Sequence, residues 1–218
     1  YRVWGTLGQR HPQVIFQSCA SGGGRADLGI LRLADQVWTS DNTEATCRLN
    51  IQEGYSQFLP ASTMEAWVTD ADKAHVPLEF RFHASMCGAL GVGGNLFEWS
   101  EQERSLAAAC IELYKEIRPI VQLGDQYRLR SPQHGPYSAV QYMTKDRSQG
   151  VLFAFRVHIP DYARVVKLPP LYLRGLEPEG LYQLEGREEV RSGSGWMETG
   201  LVLELENMQS KLLRISRI

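Results

Sequence analysis

The hydrophobic pattern changes period at about Gly135. Before that point short apolar runs alternate with helical stretches. After it come short apolar runs punctuated by glycine and proline. Strand–helix repetition implies parallel strands joined by crossover helices. Several short strands at close spacing imply an antiparallel sandwich. The expected fold class is therefore α/β plus all-β, divided into residues 1–134 and 135–218. Four cysteines without a C-x-x-C pair, at positions 19, 47, 87 and 110, read as reduced, buried thiols.

In the first part, Val14-Ile15-Phe16 is expected to be a buried strand ending at Ser18-Cys19, followed by a tight loop at Gly22-Gly23-Gly24. Asp27 to Ala34 places Leu28, Leu31 and Ala34 on one helical face. Gln36 to Thr39 is a second strand, and Thr43 to Tyr55 a helix capped by Asn42 or Thr43. Ser62 to Val68 and Phe80 to Met86 are the third and fourth strands. Ser100-x-x-Glu103 is a capping box, opening a helix with Leu106, Cys110, Leu113, Ile117 and Val121 on one face.

In the second part, strands are expected at Val140–Thr144, Val151–His158, Val165–Leu168, Leu171–Leu173, Leu181–Leu184, Leu201–Leu205 and Leu212–Ile215. Lys and Arg number 23 against 25 Asp and Glu, which speaks against a nucleic-acid partner. No apolar run approaches the ~18 residues of a membrane span. The start Tyr1-Arg2-Val3-Trp4 reads as the middle of a helix, so a longer parent polypeptide is expected.

In parallel α/β folds, the residues just past the carboxyl ends of strands form the site. Two segments qualify: Ser18-Cys19-Ala20-Ser21-Gly22-Gly23-Gly24-Arg25 and Trp38-Thr39-Ser40-Asp41-Asn42. The glycines permit backbone close to a ligand, or serve only as a strand-to-helix turn. They lack the endings of a phosphate loop. Asp41 follows an apolar strand and Trp38. It has two readings: a partly desolvated general acid beside an indole, or the N-cap of the following helix. Cys19 reads as an inert thiol rather than a nucleophile. Asp27 reads as a first-turn helix residue and Asp35 as a solvated one. The five histidines lack ligand spacing, so no metal and no cofactor are expected.

These two loops together resemble the α-galactosidases of glycoside hydrolase family 36. Arg48-x-x-Ile51-Gln52-x-Gly54-x-Ser56, Tyr114-Lys115-x-x-Arg118 and Gly124-Asp125-x-Tyr127-Arg128-Leu129 support the resemblance. So do Gly175-Leu176-Glu177-Pro178 to Tyr182, and Ser192-Gly193 to Met197-x-x-Gly200-Leu201. The sequence departs from it at Gln17, where many members have Glu, and at Glu65-Ala66-Trp67, where many have Gly-Ala-His.

The resemblance implies an N-terminal β-sandwich, a (β/α)8 barrel and a C-terminal β domain. A complete barrel needs ~250 residues. Residues 1–134 would then be the last strands of a catalytic barrel, and 135–218 the C-terminal antiparallel domain. It also implies a retaining reaction with two carboxylates ~5–5.5 Å apart. Asp41 matches the acid/base. Cys19, Ala20, Ser21 and Gly22 match the pocket loop beside the sugar's 2-position, and Trp38 walls the pocket or shifts the pKa of Asp41. The nucleophile of the family sits in a Lys-Trp-Asp motif that these 218 residues do not contain. Implied substrates are terminal α-galactosides such as raffinose, melibiose and stachyose. Implied partners are the N-terminal remainder of the enzyme and further copies in a homotetramer, with no membrane, and the cytoplasm as compartment. The alternatives are an α-N-acetylgalactosaminidase on the same scaffold, and an inactive carbohydrate-binding or assembly fragment.

Overall fold

The computed structural model describes residues 1–71, 73–157 and 168–218. The first part contains α1 (Arg2–Arg10), β1 (Gln17–Ser18), β2 (Gln36–Trp38), α2 (Ala45–Tyr55), β3 (Met64–Val68), α3 (Leu78–Met86), β4 (Ala89–Val92) and α4 (Glu101–Leu123). The four strands form a parallel sheet in chain order, β1-β2-β3-β4. Strictly sequential order means that the winding never reverses. That is the wall of a barrel rather than a doubly wound sheet, whose order reverses at a switch point. Met64, Ala66 and Val68 of β3 are buried on one face, while Glu65 and Trp67 on the other are more open. Register puts Trp38 beside Glu65 and Trp67 beside Gly91, so these residues share the open face.

Three expected elements differ. Val14 and Ile15 are exposed and β1 is only Gln17–Ser18, an edge strand whose described neighbour is β2. The Asp27–Ala34 segment forms a single 3-10 turn, Ile30–Arg32, with Leu28 exposed and Ile30 and Ala34 buried. Asp27 starts it by accepting the Ile30 N–H at 2.9 Å. The bond from Asp35 N–H to the Phe16 carbonyl stops it before a second turn. Phe80–Met86 is not the fourth strand but most of helix α3, and β4 lies in the glycine-rich run that follows. In α3 every residue from Leu78 to Met86 except Glu79 is buried. A helix without a polar face shows no 3.6 period, and a short buried run of either kind reads the same in sequence.

The two longer helices of this part start close to the expected positions. Helix α2 begins one step beyond the expected caps, with Glu44 at the N-cap and Asn42 Oδ1 accepting the Glu44 N–H. Helix α4 has both halves of the Ser100–Glu103 capping box. It buries Ala107, Cys110, Tyr114, Ile117 and Val121, with Leu106 at the edge of that face. Pro119 sits inside its last turns, where it removes one i→i−4 hydrogen bond.

After α4 come β5 (Asp125–Arg130), β6 (Tyr137–Met143), β7 (Gln149–Arg156), β8 (Leu181–Leu184), β9 (Val190–Ser192), α5 (Gly193–Thr199) and β10 (Gln209–Arg217). The strands make one six-stranded antiparallel sheet ordered β5-β6-β7-β10-β8-β9. Both faces of its centre are covered. Val151, Phe153 and Phe155 of β7 pack with Phe80, Phe82, Ile117 and Val121 of α3 and α4. The alternate residues Leu152 and Ala154 pack with Leu171, Leu173, Trp196 and Leu203. A strand buried on both sides reads as the continuous apolar run seen here.

Strand β5, Asp-Gln-Tyr-Arg-Leu-Arg, was not expected, because its polar sequence carries no strand signal. It lies before residue 135 and pairs with β6 beyond it. Leu171 and Leu201 meet in a single bridge rather than in two strands. Gly193-Ser194-Gly195 opens helix α5, with the Ser192 hydroxyl accepting the Gly195 N–H. Of the expected strand Val165–Leu168 only Leu168 is described, and His158 also lies outside the described residues. All four cysteines are free, but only Cys87 and Cys110 are buried; Cys19 is exposed and Cys47 half-buried, because both stand at loop or helix-start positions.

Candidate active site

The two loops singled out in the sequence follow neighbouring parallel strands, β1 and β2, so they emerge side by side at the carboxyl edge of the sheet. Their contact is direct. Gly22 has a φ of +68°, and a Cβ there would stand 2.8 Å from the Asp41 backbone nitrogen. A Cβ on Gly23 would stand 2.5 Å from the Thr39 carbonyl oxygen. The glycines therefore do two jobs: one takes a left-handed turn, and both let one loop's backbone lie against the other's. The Gly24 N–H bonds the Ala20 carbonyl, and Ala20 bridges Gly23, which closes the turn. Ser21 also has positive φ, at 48°, and is exposed, as is Cys19.

Asp41 is not the helix cap, since Glu44 holds that position. Its Oδ1 instead accepts the Trp38 indole N–H at 3.0 Å. Within these 218 residues Asp41 is exposed, and its buried partner is Trp38, 8% exposed. The indole thus fixes one carboxylate oxygen and leaves the rest of the group facing out. Asp27 and Asp35 have local structural jobs, at the 3-10 turn and at the Phe16 N–H, where the bond is 2.8 Å.

Sequence reasoning did not place three residues in this site. Arg48, 1% exposed, sits beneath both Trp38 and the Asp41 loop. Its guanidinium lies 5.0 Å from the Trp38 ring centroid, donates to Thr39 Oγ1 at 2.6 Å, and donates to the carbonyls of Ser40 and Glu65. Burial lowers its pKa from 12.5 to about 10 by stripping water from the charge, and the nearby Glu65 carboxylate opposes that shift. It stays a cation near neutral pH, held by carbonyls and an indole face. Glu65 and Trp67 are the other two. The Trp67 indole N–H donates to Glu65 Oε1 at 2.6 Å, and its ring lies 4.8 Å from that of Trp38. Glu65 Oε2 and Arg48 Nε are both buried without a direct hydrogen-bond partner among the described residues. The available signals were spacing, since Ala45, Arg48, Leu49 and Gln52 form the inward face of α2, and the departure from the family pattern at Glu65-Ala66-Trp67.

A cavity of about 660 Å³ lies elsewhere, between α2 and the antiparallel sheet, bordered by Cys47, Leu49, His75, Pro136 and Val157. It contains neither loop of the candidate site. Among the described residues there is no group of three His, Cys, Asp or Glu arranged to hold a metal ion, and no helix is long and apolar enough to cross a membrane.

The family model described as Melibiase matches residues 1–124, and that of the glycosyl hydrolase family 36 C-terminal domain matches residues 137–215. The probable alpha-galactosidase C of Aspergillus flavus is 37% identical over 212 residues, covering 95% of this chain and 28% of that protein. Alpha-galactosidase AgaA of Geobacillus stearothermophilus is 37% identical over 207 residues, covering 93% and 28%. The crystal structure of AgaA superposes with a TM-score of 0.92 at 35% identity, over 100% of this chain and 31% of that one. A variant of AgaA in complex with raffinose superposes equally well, at 33% identity and a TM-score of 0.92, again over 31% of its length. The chain thus spans less than a third of the proteins it matches, and both of its sheets fall within the match. Its fold class is the expected one: the C-terminal part of a (β/α)8 barrel followed by an antiparallel β domain.

Proposed function

The chain belongs to glycoside hydrolase family 36, the melibiases, and on that premise we infer that the protein carrying it hydrolyses terminal α-D-galactosyl residues of oligosaccharides such as raffinose and melibiose. The observation that carries the reading is Asp41: a carboxylate just past the end of a barrel strand, steered by a buried indole, with its backbone lying against Gly22 of the neighbouring loop. Raffinose in the structure of a relative supports the substrate class.

We assign Asp41 as general acid/base of a retaining reaction. A carboxylate outside this chain attacks the anomeric carbon. As the glycosidic bond breaks, the Asp41 carboxyl gives its proton to the departing oxygen. In the second step the Asp41 carboxylate takes a proton from water as that water displaces the enzyme carboxylate, and the galactose leaves with retained configuration. Trp38 engages Oδ1, so Oδ2 is the oxygen assigned to the proton. Cys19, Ala20, Ser21 and Gly22 form the loop proposed to border the sugar's 2-position, and Trp38 positions Asp41 from below. Residues 1–134 are proposed as the catalytic part and 135–218 as the β domain, with β5 stitching the two. A homotetramer and a cytoplasmic location belong to the same proposal.

The test is Asp41→Ala in the full-length protein. General acid help is worth ~10²–10⁴-fold, and substrates with good leaving groups need less of it. Raffinose hydrolysis should therefore fall far more than nitrophenyl α-galactoside hydrolysis. Equal losses on both substrates count against the acid role.

A further inference from the structure

Trp67 is the one ring of the site cluster that is anchored and also presents surface on the inner, site-facing side of the sheet, 38% exposed within this portion of the barrel. Three contacts hold it. Its ring lies against Trp38 at 4.8 Å between centroids. Its indole N–H is held by Glu65 Oε1 at 2.6 Å. Its other flank lies on the backbone of Gly91 and Gly93. A Cβ at Gly93 would stand 2.8 Å from the ring, and one at Gly91 would collide with it. Two glycines on the neighbouring strand and loop make a seat for one indole, and Glu65 from the same strand face turns it in that seat. This is a preorganised aromatic surface rather than a stray exposed side chain.

Its place relative to Asp41 defines what it can meet. The strand order is β1-β2-β3-β4. The Cys19–Gly22 loop follows β1, Asp41 follows β2, and Trp67 is on β3. Asp41 therefore stands between the loop assigned to the galactosyl 2-position and the Trp67 ring. A general acid touches the glycosidic oxygen, where the galactosyl group ends and the leaving group begins. The side of Asp41 away from the galactosyl loop faces the leaving group. Sugar rings carry C–H-lined faces that pack on flat aromatic surface, and an aromatic side chain offers a large area at small entropy cost.

We propose that Trp67, oriented by Glu65, is the platform for the second sugar of the oligosaccharide, on the leaving-group side of Asp41. The proposal deepens the α-galactosidase reading and rests on it. Trp67 is the binding residue, and Glu65 is a positioning residue that acts through it.

The test compares raffinose, which carries a second sugar, with methyl α-galactoside, which needs the same acid but carries none, in the full-length protein. Trp67→Ala should raise KM for raffinose about tenfold more than for methyl α-galactoside, the equivalent of ~1.4 kcal/mol of binding. The kcat ratio of the two substrates should stay within about twofold. Trp67→Phe, which keeps a ring, should recover most of the raffinose KM. Glu65→Ala should show part of the same raffinose-specific KM rise, and Glu65→Gln, which still offers an acceptor to the indole, should rescue it. If Trp67→Ala fails to fold, Trp67→Leu keeps apolar bulk over the glycines and carries the same expectation. Equal penalties on both substrates, or a loss in kcat with a displaced pH profile, place Trp67 behind Asp41 and overturn the proposal. An unchanged raffinose KM also overturns it. A wild-type protein silent on both α-galactosides defeats the functional reading itself, whereas an active wild type insensitive at Trp67 defeats only this inference.

Discussion

Acidification should weaken the seam between the two sheets through one residue, His83. It lies on α3, 5% exposed, with Nδ1 2.8 Å from Ser210 Oγ on β10 and its ring edge-on to Phe153 of β7. Burial alone lowers its pKa from 6.5 to about 4. The imidazole is therefore neutral in the folded protein down to about pH 4, while the unfolded chain takes up a proton as pH falls through 6.5. Protons bound only by the unfolded state favour unfolding, so stability is lost between about pH 6.5 and 4 and the loss levels off below that. At pH 7 the effect is only about 0.2 kcal/mol. At pH 5 the unfolded imidazole is almost fully charged and the buried one about a tenth charged, a difference of about 2 kcal/mol. Carboxylates such as Asp70 and Glu185, whose pKa values are lowered, also lose stability toward acid, so the wild type alone cannot isolate the term. His83→Gln keeps a polar, uncharged side chain. Denaturant unfolding of wild type and variant at pH 7 and pH 5 isolates it: the wild type should lose about 2 kcal/mol more than the variant. Parallel loss in both proteins would refute the reasoning.

Three further outcomes follow from the site. Gly23→Ala places a methyl group on the Thr39 carbonyl; it should destabilise the protein by roughly 1–3 kcal/mol and depress turnover by shifting the Asp41 loop, as seen in melting and kinetics together. Cys19→Ser should keep measurable turnover with altered substrate affinity, because the thiol borders the proposed pocket without attacking; a fluorosugar inhibitor that labels Cys19 stoichiometrically contradicts this. These 218 residues expressed alone should be silent on nitrophenyl α-galactoside and prone to self-association, since β1 presents an open parallel edge; turnover absent from an identically prepared Asp41 variant would overturn that expectation.

The sequence by itself determined the two-part plan, the antiparallel strands with strong apolar runs, the α4 capping box and the pair of loops around Asp41. Those features rest on local chemistry: period, caps and glycine-rich strand ends act within a few residues, and Ser100 with Glu103 forms its box from neighbours alone. Tertiary structure decided what depends on who covers whom. Phe80–Met86 is a helix because it is enclosed between β3, α4 and the second sheet, which erases its polar face. Polar β5 is a strand because β6 offers it a ladder. Asp41 is tied to an indole rather than capping a helix because α2 starts later, at Ala45. Glu65 and Trp67 join the site because the register of β2, β3 and β4 places them beside Trp38, across a sheet that no sequence spacing encodes, and Arg48 joins it because α2 packs its inward face beneath Trp38.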